Sequence, residues 1–522
     1  DKNLEHHHDP LFSTLPPLEI SNPNPKSVST TPVPTTPTVA MDAGPSAMDL
    51  DAGASTTPMA TPNLNWTMVE PFVFRVDDAD SFADEGHAPI KAHGLTSRGD
   101  SFTVGLRIRP PPEISRLYLH WPGGPDPKKG SSCDLVAAHG NLLLLRLTSS
   151  PLPPLKKDES PVYPQEDFIC RASSSSIKLE RIATPLVLTG NKDKLRVTAQ
   201  GPFPLHTVGI LCCGEDFAIA QLRLTRPNRE VADLCVFRSS ESKWELEQRC
   251  PIQFKGEYES FDLDYWKTDR VLAFKTYLFW VDYCTGGMLS SEVFQARPTI
   301  RYIRLPIVGN RNLGYEVRPF QDMYRSLCVT KDGQELIFID IVSEYHASVG
   351  RLSASTVFSI TVHALKTDSA ALDWLKVYSV RSDDLSLFKP LTYPLVSMHE
   401  ANIAYFLMPE KVLDGINKIW MVTIDMGAKK IMSICPYVNG VEGLKGEDSE
   451  MVKHKSRILQ PFIPLELPEW LYPNSSSKRV KKATKTESGS KALASKRVKK
   501  ATKTESGSKA LASKRVKKAT KT

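Results

Sequence analysis

The clearest chemistry in this chain is cationic and repeated. Lys478, Arg479, Lys481 and Lys482 form a K-R-V-K-K cluster, matched by Lys496, Arg497, Lys499 and Lys500 and by Lys514, Arg515, Lys517 and Lys518. The enclosing unit SKRVKKATKTESGSKALA occupies 477–494, recurs identically at 495–512 and is cut short as SKRVKKATKT, a period of 18 residues. Extended basic side chains on a flexible segment suit the acidic and aromatic grooves of a nuclear import receptor. The same charge would neutralise phosphates of nucleic acid or anionic lipid without reading a sequence. A solubilising tail, or a duplication with no role, is the plain alternative. No aromatic residue interleaves the cations, so base stacking is not offered. Phosphate added at Thr484, Thr486, Ser488 or Ser490 would cut the local positive charge.

Other chemistry-bearing residues are thinner. Glu257, Glu259, Asp262 and Asp264 crowd a short acidic stretch, where a cation could bind only if the strand is regular. Asp282 could turn toward a central channel, or accept backbone N–H bonds in the turn that follows it. His93, His120, His139, His206, His363 and His399 are scattered, and His6-His7-His8 is a weak, unselective metal ligand set. No G-x-S-x-G, H-E-x-x-H or H-x-E with C-x-x-C occurs. The string GPDPKKGSS at 124–132 lacks the spacing of a phosphate-binding loop. No catalytic set, cofactor site or metal site is therefore expected. Nine cysteines, widely spaced and without C-x-x-C, suit buried free thiols in a reducing compartment.

The elements that must position these groups are strands. Of 522 residues, those from Lys478 onward hold 17 basic and 2 acidic side chains, leaving 49 basic and 57 acidic before them. A mildly acidic body thus carries a basic tail, and any argument for nucleic acid concerns that tail alone. Residues 1–65 hold 11 of the 40 prolines and almost no aromatics, and read as disordered. The chain opens on Asp1 rather than on Met, and DKNLEHHHDP lacks the basic and apolar regions of a secretory leader; a fragment or an imperfect gene model is the reading of that start. No apolar run approaches the roughly 18–20 residues that span a bilayer, and no membrane contact is expected.

From 66 to 473, strand-like runs recur with hardly any helical period. Hairpins are expected around Gly140-Asn141, between 231–237 and 243–248, and around Asp332-Gly333. Gly286-Gly287 should turn tightly between 277–283 and 288–294. Within 277–283, YLFWVDY is too apolar for a half-wet strand and reads as covered on both sides. Short strands at this spacing predict an all-β body, a propeller of six to eight blades, since a single sandwich holds about 100 residues. Closure would pair a strand near 67–76 with one near 430–436. Three regions follow: 1–65 disordered, 66–473 the propeller-like body, and 474–522 the basic tail.

The order Trp280-Val281-Asp282, Gly286-Gly287, a short strand and then RYIRLP at 301–306 resembles the signature of the grass-expanded plant family defined by the DUF1618 domain. The resemblance is sharpest over about 275–400. It implies a propeller-like fold and no established activity, cofactor or catalytic residues. Some relatives carry an F-box-like segment, but residues 1–65 hold no helical, Leu-rich pattern of that kind. The expected function is a non-enzymatic interaction module receiving a protein partner on its loops, in a nuclear regulatory complex. A polyanion-binding nuclear protein acting through its tail comes second, and a propeller hydrolase third. The expected location is the nucleus, with the cytoplasm as alternative.

Overall fold

The computed structural model describes residues 65–471, except 78–88, 127–132, 151–163, 175, 183–185, 190–195, 200–204, 225–229, 257–262, 308–320, 331–332, 344–356, 367–371, 388, 413–414 and 439–461. The twelve basic residues of the tail lie outside the described residues, as do Glu257, Glu259 and Asp262.

Strands follow one another in groups of four. The first group is β1 (Thr67–Arg75), β2 (Ile90–Leu95), β3 (Ser101–Arg107) and β4 (Ile114–His120). The second is β5 (Cys133–His139), β6 (Leu142–Thr148), β7 (Gln165–Ser173) and β8 (Ser176–Arg181). A separate hairpin, β9 (Leu186–Thr189) and β10 (Arg196–Ala199), leads to the third group. This comprises β11 (Val208–Cys213), β12 (Asp216–Leu224), β13 (Val231–Arg238) and β14 (Lys243–Gln253). The fourth is β15 (Arg270–Phe274), β16 (Tyr277–Asp282), β17 (Gly287–Ser291) and β18 (Ile300–Arg304).

A short helix α1 (Gln321–Tyr324) precedes β19 (Arg325–Thr330), β20 (Glu335–Ser343), β21 (Phe358–Lys366) and β22 (Asp373–Arg381). The last group is β23 (Thr392–Val396), β24 (Ile403–Val412), β25 (Gly415–Asp425) and β26 (Lys430–Val438). The described chain ends with β27 (Ile463–Leu465) and helix α2 (Leu467–Leu471). Groups two to six are antiparallel meanders in chain order, and the first is ordered β2-β3-β4-β1 with β27 on its far edge.

Period-two alternation explains how these six sheets hold together. On β6, Leu143 and Leu145 join a core with Val69, Leu117 and Leu119 of the first sheet. Leu142 and Leu144, pointing the other way, join one with Ile210, Ile219 and Phe237 of the third. Likewise Leu278 and Trp280 of β16 pack with Leu234 and Val236, whereas Phe279 and Val281 pack with Leu336 and Phe338. YLFWVD is apolar on both faces because each face fills a different inter-sheet core. The remaining core joins Ile339 and Ile360 to Phe406 and Val422, and these to Trp66, Met68 and Phe74 of the first sheet. The sequence of shared cores returns to its start: this is an all-β, six-bladed propeller.

Closure differs from the sequence expectation. Thr67, Met68 and Val69 pair antiparallel with Leu465, Pro464 and Ile463, not with a strand near 430–436. The 430–436 segment lies in β26, whose ladder partner is β25 on the side away from the ring's centre. A three-residue strand after a long gap carries no periodicity of its own, so the sequence does not announce it. β1 also runs parallel to β4, with an irregularity between Val69 and Val73 where Pro71 sits. A proline there withholds no ladder donor.

Phe462, Leu465, Leu467 and Leu471 are all buried. Each buried apolar side chain contributes about 1.5–3 kcal/mol, so the closing segment holds a large part of a typical domain's stability of about 5–15 kcal/mol. A chain ending at Pro461 should lose its cooperative thermal transition, read by circular dichroism. A chain ending at Ser477 should melt like the full protein.

Candidate functional site: the central cavity

The innermost strands β5, β11, β15, β19 and β27 surround a cavity of about 330 Å³. Its wall is mostly apolar, with Leu135, Ala137, Val271, Leu327 and Leu465 among the lining residues. Polar side chains reach it from several blades: His139, His206, Asp269, Arg270, Lys275 and Glu466. The two histidines come 67 positions apart in the chain, one at the end of β5 and one just before β11. Among the described residues, His93, His120, His363 and His399 do not line the cavity; His93 bonds Thr103 on the first blade (2.8 Å), and His363 is buried on β21.

His139 is locked by its neighbour. Its Nδ1 accepts the Cys212 N–H at 3.0 Å, while Cys212 Sγ donates to the His139 carbonyl at 3.0 Å. Burial lowers the His139 pKa to about 4 and raises that of Cys212 to about 12. At neutral pH the pair is therefore a neutral imidazole and a thiol, without the thiolate that nucleophilic sulfur chemistry needs. His206 is lowered too, by burial and by the nearby Lys267.

Asp269 immediately precedes β15, and Arg270 opens it. Asp269 Oδ2 accepts the Tyr283 N–H (2.8 Å), and the Asp269 N–H bonds the Val281 carbonyl (2.8 Å). Arg270 reaches toward the closing segment, where Nη2 donates to the Phe462 carbonyl at 3.2 Å. Its Nη1 is buried and has no hydrogen-bond partner among the described residues.

Behind this wall, the signature segment forms a polar buttress between blades four and five. Asp282 is fully buried. Its Oδ1 accepts the N–H groups of Cys284 (2.9 Å) and Thr285 (3.0 Å), and its Oδ2 that of Lys267 (2.8 Å). The carboxylate therefore organises the turn rather than facing the cavity. Gly286 completes that turn with φ +74° and an N–H donated to the Asp282 carbonyl (3.0 Å). Gly287 opens β17 in extended backbone, but a Cβ there would sit 2.5 Å from the Tyr302 ring. One glycine is required by conformation and the other by close approach. Arg325 then pairs with Asp340 (3.1 Å) and donates to the Tyr283 carbonyl (2.6 Å), while Tyr283 Oη accepts the Leu327 N–H (2.9 Å). Trp280 Nε1 donates to the Thr207 carbonyl (3.1 Å), tying blade four to the entry of blade three.

The cavity itself was not visible in the sequence. Its only local trace is the charged pair Asp269-Arg270 at the head of an otherwise apolar strand.

Because the folded His139 resists protonation, the unfolded chain binds more protons between about pH 6.5 and 4. Stability contributed by the neutral imidazole is thus present above pH 6.5 and falls away as pH drops toward 4. His139→Asn keeps an acceptor near the Nδ1 position and removes the titration. Urea unfolding at a series of pH values should show the acid limb of the variant flattened by roughly 2–3 kcal/mol relative to wild type.

No curated protein matches the chain. Among solved structures, hydrazine synthase of Kuenenia stuttgartiensis is 12% identical, over 53% of this chain and 72% of that one, with a TM-score of 0.27. A putative 6-phosphogluconolactonase of Bacteroides uniformis ATCC 8492 is 9% identical over 52% and 79%, with a TM-score of 0.25. The β-propeller domain of the Trilobed protease from Pyrococcus furiosus is 9% identical over 58% and 84%, with a TM-score of 0.25. These overlaps are too loose to bear on activity. Residues 280–405, from the tryptophan of β16 to Tyr405 in β24, match the family described as "Protein of unknown function (DUF1618)".

Proposed function

We propose that this chain is a non-enzymatic protein-interaction module that docks a partner along the outer strands of blades five and six. One observation carries the reading. Outer strands elsewhere meet in part, since Ile252 and Gln253 at the end of β14 pair in parallel with Ile300 and Arg301 of β18, and β2 lies near β8. β22 and β26 end their sheets with no further strand paired to them among the described residues. Four of the seven exposed large apolar side chains stand on these two strands: Leu375, Val377, Met432 and Ile434.

An open edge with apolar side chains is a template for an added strand. Lys376 and Lys430 are exposed among them, and no ion pair engages either among the described residues. The partner that fits is a protein presenting an extended segment with apolar and acidic side chains.

Tagged full-length protein, a chain ending at Ser477 and a Met432→Glu/Ile434→Glu variant would be compared by affinity purification and mass spectrometry. Both substituted positions are exposed, so the fold should tolerate the change. The same partners should survive truncation and fall at least about tenfold in the edge variant, a loss of about 1.4 kcal/mol. Partners kept by the edge variant but lost with the tail, in a salt-sensitive way, would favour polyanion binding by the tail instead.

The module is further proposed to work in the nucleus, delivered by an import receptor that reads the tail clusters. Three copies make single-cluster changes silent, so all twelve basic residues from Lys478 to Lys518 named above would become Gln together. Imaged beside wild type with a large fluorescent tag, the variant should be excluded from the nucleus. Equal distribution of the two would return the tail to a solubilising role.

A further inference from the structure

We propose that the central cavity binds a small organic monocarboxylate, its carboxylate on Arg270 and its apolar body along the inner strands. Arg270 carries the argument. A clasp between blade four and the closing segment accounts for Nη2, which donates to the Phe462 carbonyl across the ring. It does not account for Nη1, which is buried at the cavity with no hydrogen-bond partner among the described residues. A buried charged donor left unsatisfied is costly, and a guanidinium fork is shaped to take a carboxylate.

The remaining lining narrows the ligand. Lys275 and Arg270 face Asp269 and Glu466 around the same cavity, so the wall is close to charge-balanced. A dianion such as phosphate would meet two carboxylates and bring charge that the wall does not offset. A single negative charge suits one unsatisfied cationic donor. His139 holds its proton on Nε2, since Nδ1 accepts the Cys212 N–H, and so offers a neutral donor. The rest of the wall, including Leu135, Leu327 and Leu465, is apolar. At about 330 Å³ the space lies at the lower end of small-molecule cavities, about 300–1,000 Å³. An aromatic or short-chain monocarboxylate has that size and polarity.

The test uses the full chain and calorimetry, with benzoate and hexanoate as probes and benzamide, hexanamide and inorganic phosphate as controls. Wild type should bind at least one carboxylate at least about tenfold more tightly than its amide, and should not take up phosphate in preference. Arg270→Gln should erase that preference, and Arg270→Lys should retain part of it. The amide comparison is made on wild type, so the test stands even if an Arg270 variant fails to fold. Three results would overturn the proposal: amide binding as tight as carboxylate binding, tighter phosphate binding, or no carboxylate heat up to about 10 mM. Survival of the carboxylate preference in a folded Arg270→Gln protein would do the same.

Discussion

A strand that is apolar on both faces is stable only when something covers each face, and that requirement organises the whole fold. β6, β16 and β20 all divide their side chains between two cores. A linear row of such sheets would leave one core half-built at each end. The ring avoids this by bringing Trp66, Met68 and Phe74 against the fifth and sixth blades. It is then fastened by a three-residue strand from the far end of the described chain. Few ladder bonds are involved, but the apolar surface they keep covered is large.

The polar interior serves the same end by different means. Asp282, Asp269, Arg325 and Asp340 lie in one region where two blades meet, and each has a defined partner. Buried ion pairs contribute little net stability when compared with apolar replacements, yet breaking one leaves an uncompensated charge and costs about 3–5 kcal/mol. Their effect is to fix register: the Arg325 guanidinium fits only if the Tyr283 carbonyl and the Asp340 carboxylate are both in place. Burial also pushes the Tyr283 phenol up, so it stays a neutral acceptor for the Leu327 N–H.

Much of this was legible in the sequence where local rules apply. Alternation and turn chemistry located most strands, including the hairpin of β13 and β14 and the turns at Gly140 and Gly333, both of which adopt positive φ. Apolar density in YLFWVDY announced a strand with two covered faces. β2 was missed because IKAHGL is polar and contains a glycine, packed there against the Phe102 ring. β27 was missed because three residues cannot display a period, and the closing strand was sought in β26 instead. For Asp282 the sequence left two orientations open, and only coordinates separate them, since both need the same residue type. Nor could it assemble the cavity, whose lining is drawn from six strands far apart along the chain.

The position of the clasp has a mechanical consequence. Leu471, the last residue of α2, precedes the first basic cluster at Lys478 by only seven positions. Seven residues extend to at most about 25 Å, so little slack separates a protein that grips the tail from the segment that closes the ring. A pulling force applied there arrives first at α2 and β27, where three residue pairs and a few buried leucines resist it. Peeling them would open the propeller from its centre and expose two core faces at once. An ATP-driven unfoldase engaging the C-terminal end would thus meet its main resistance at the start, with the remaining blades yielding in reverse chain order.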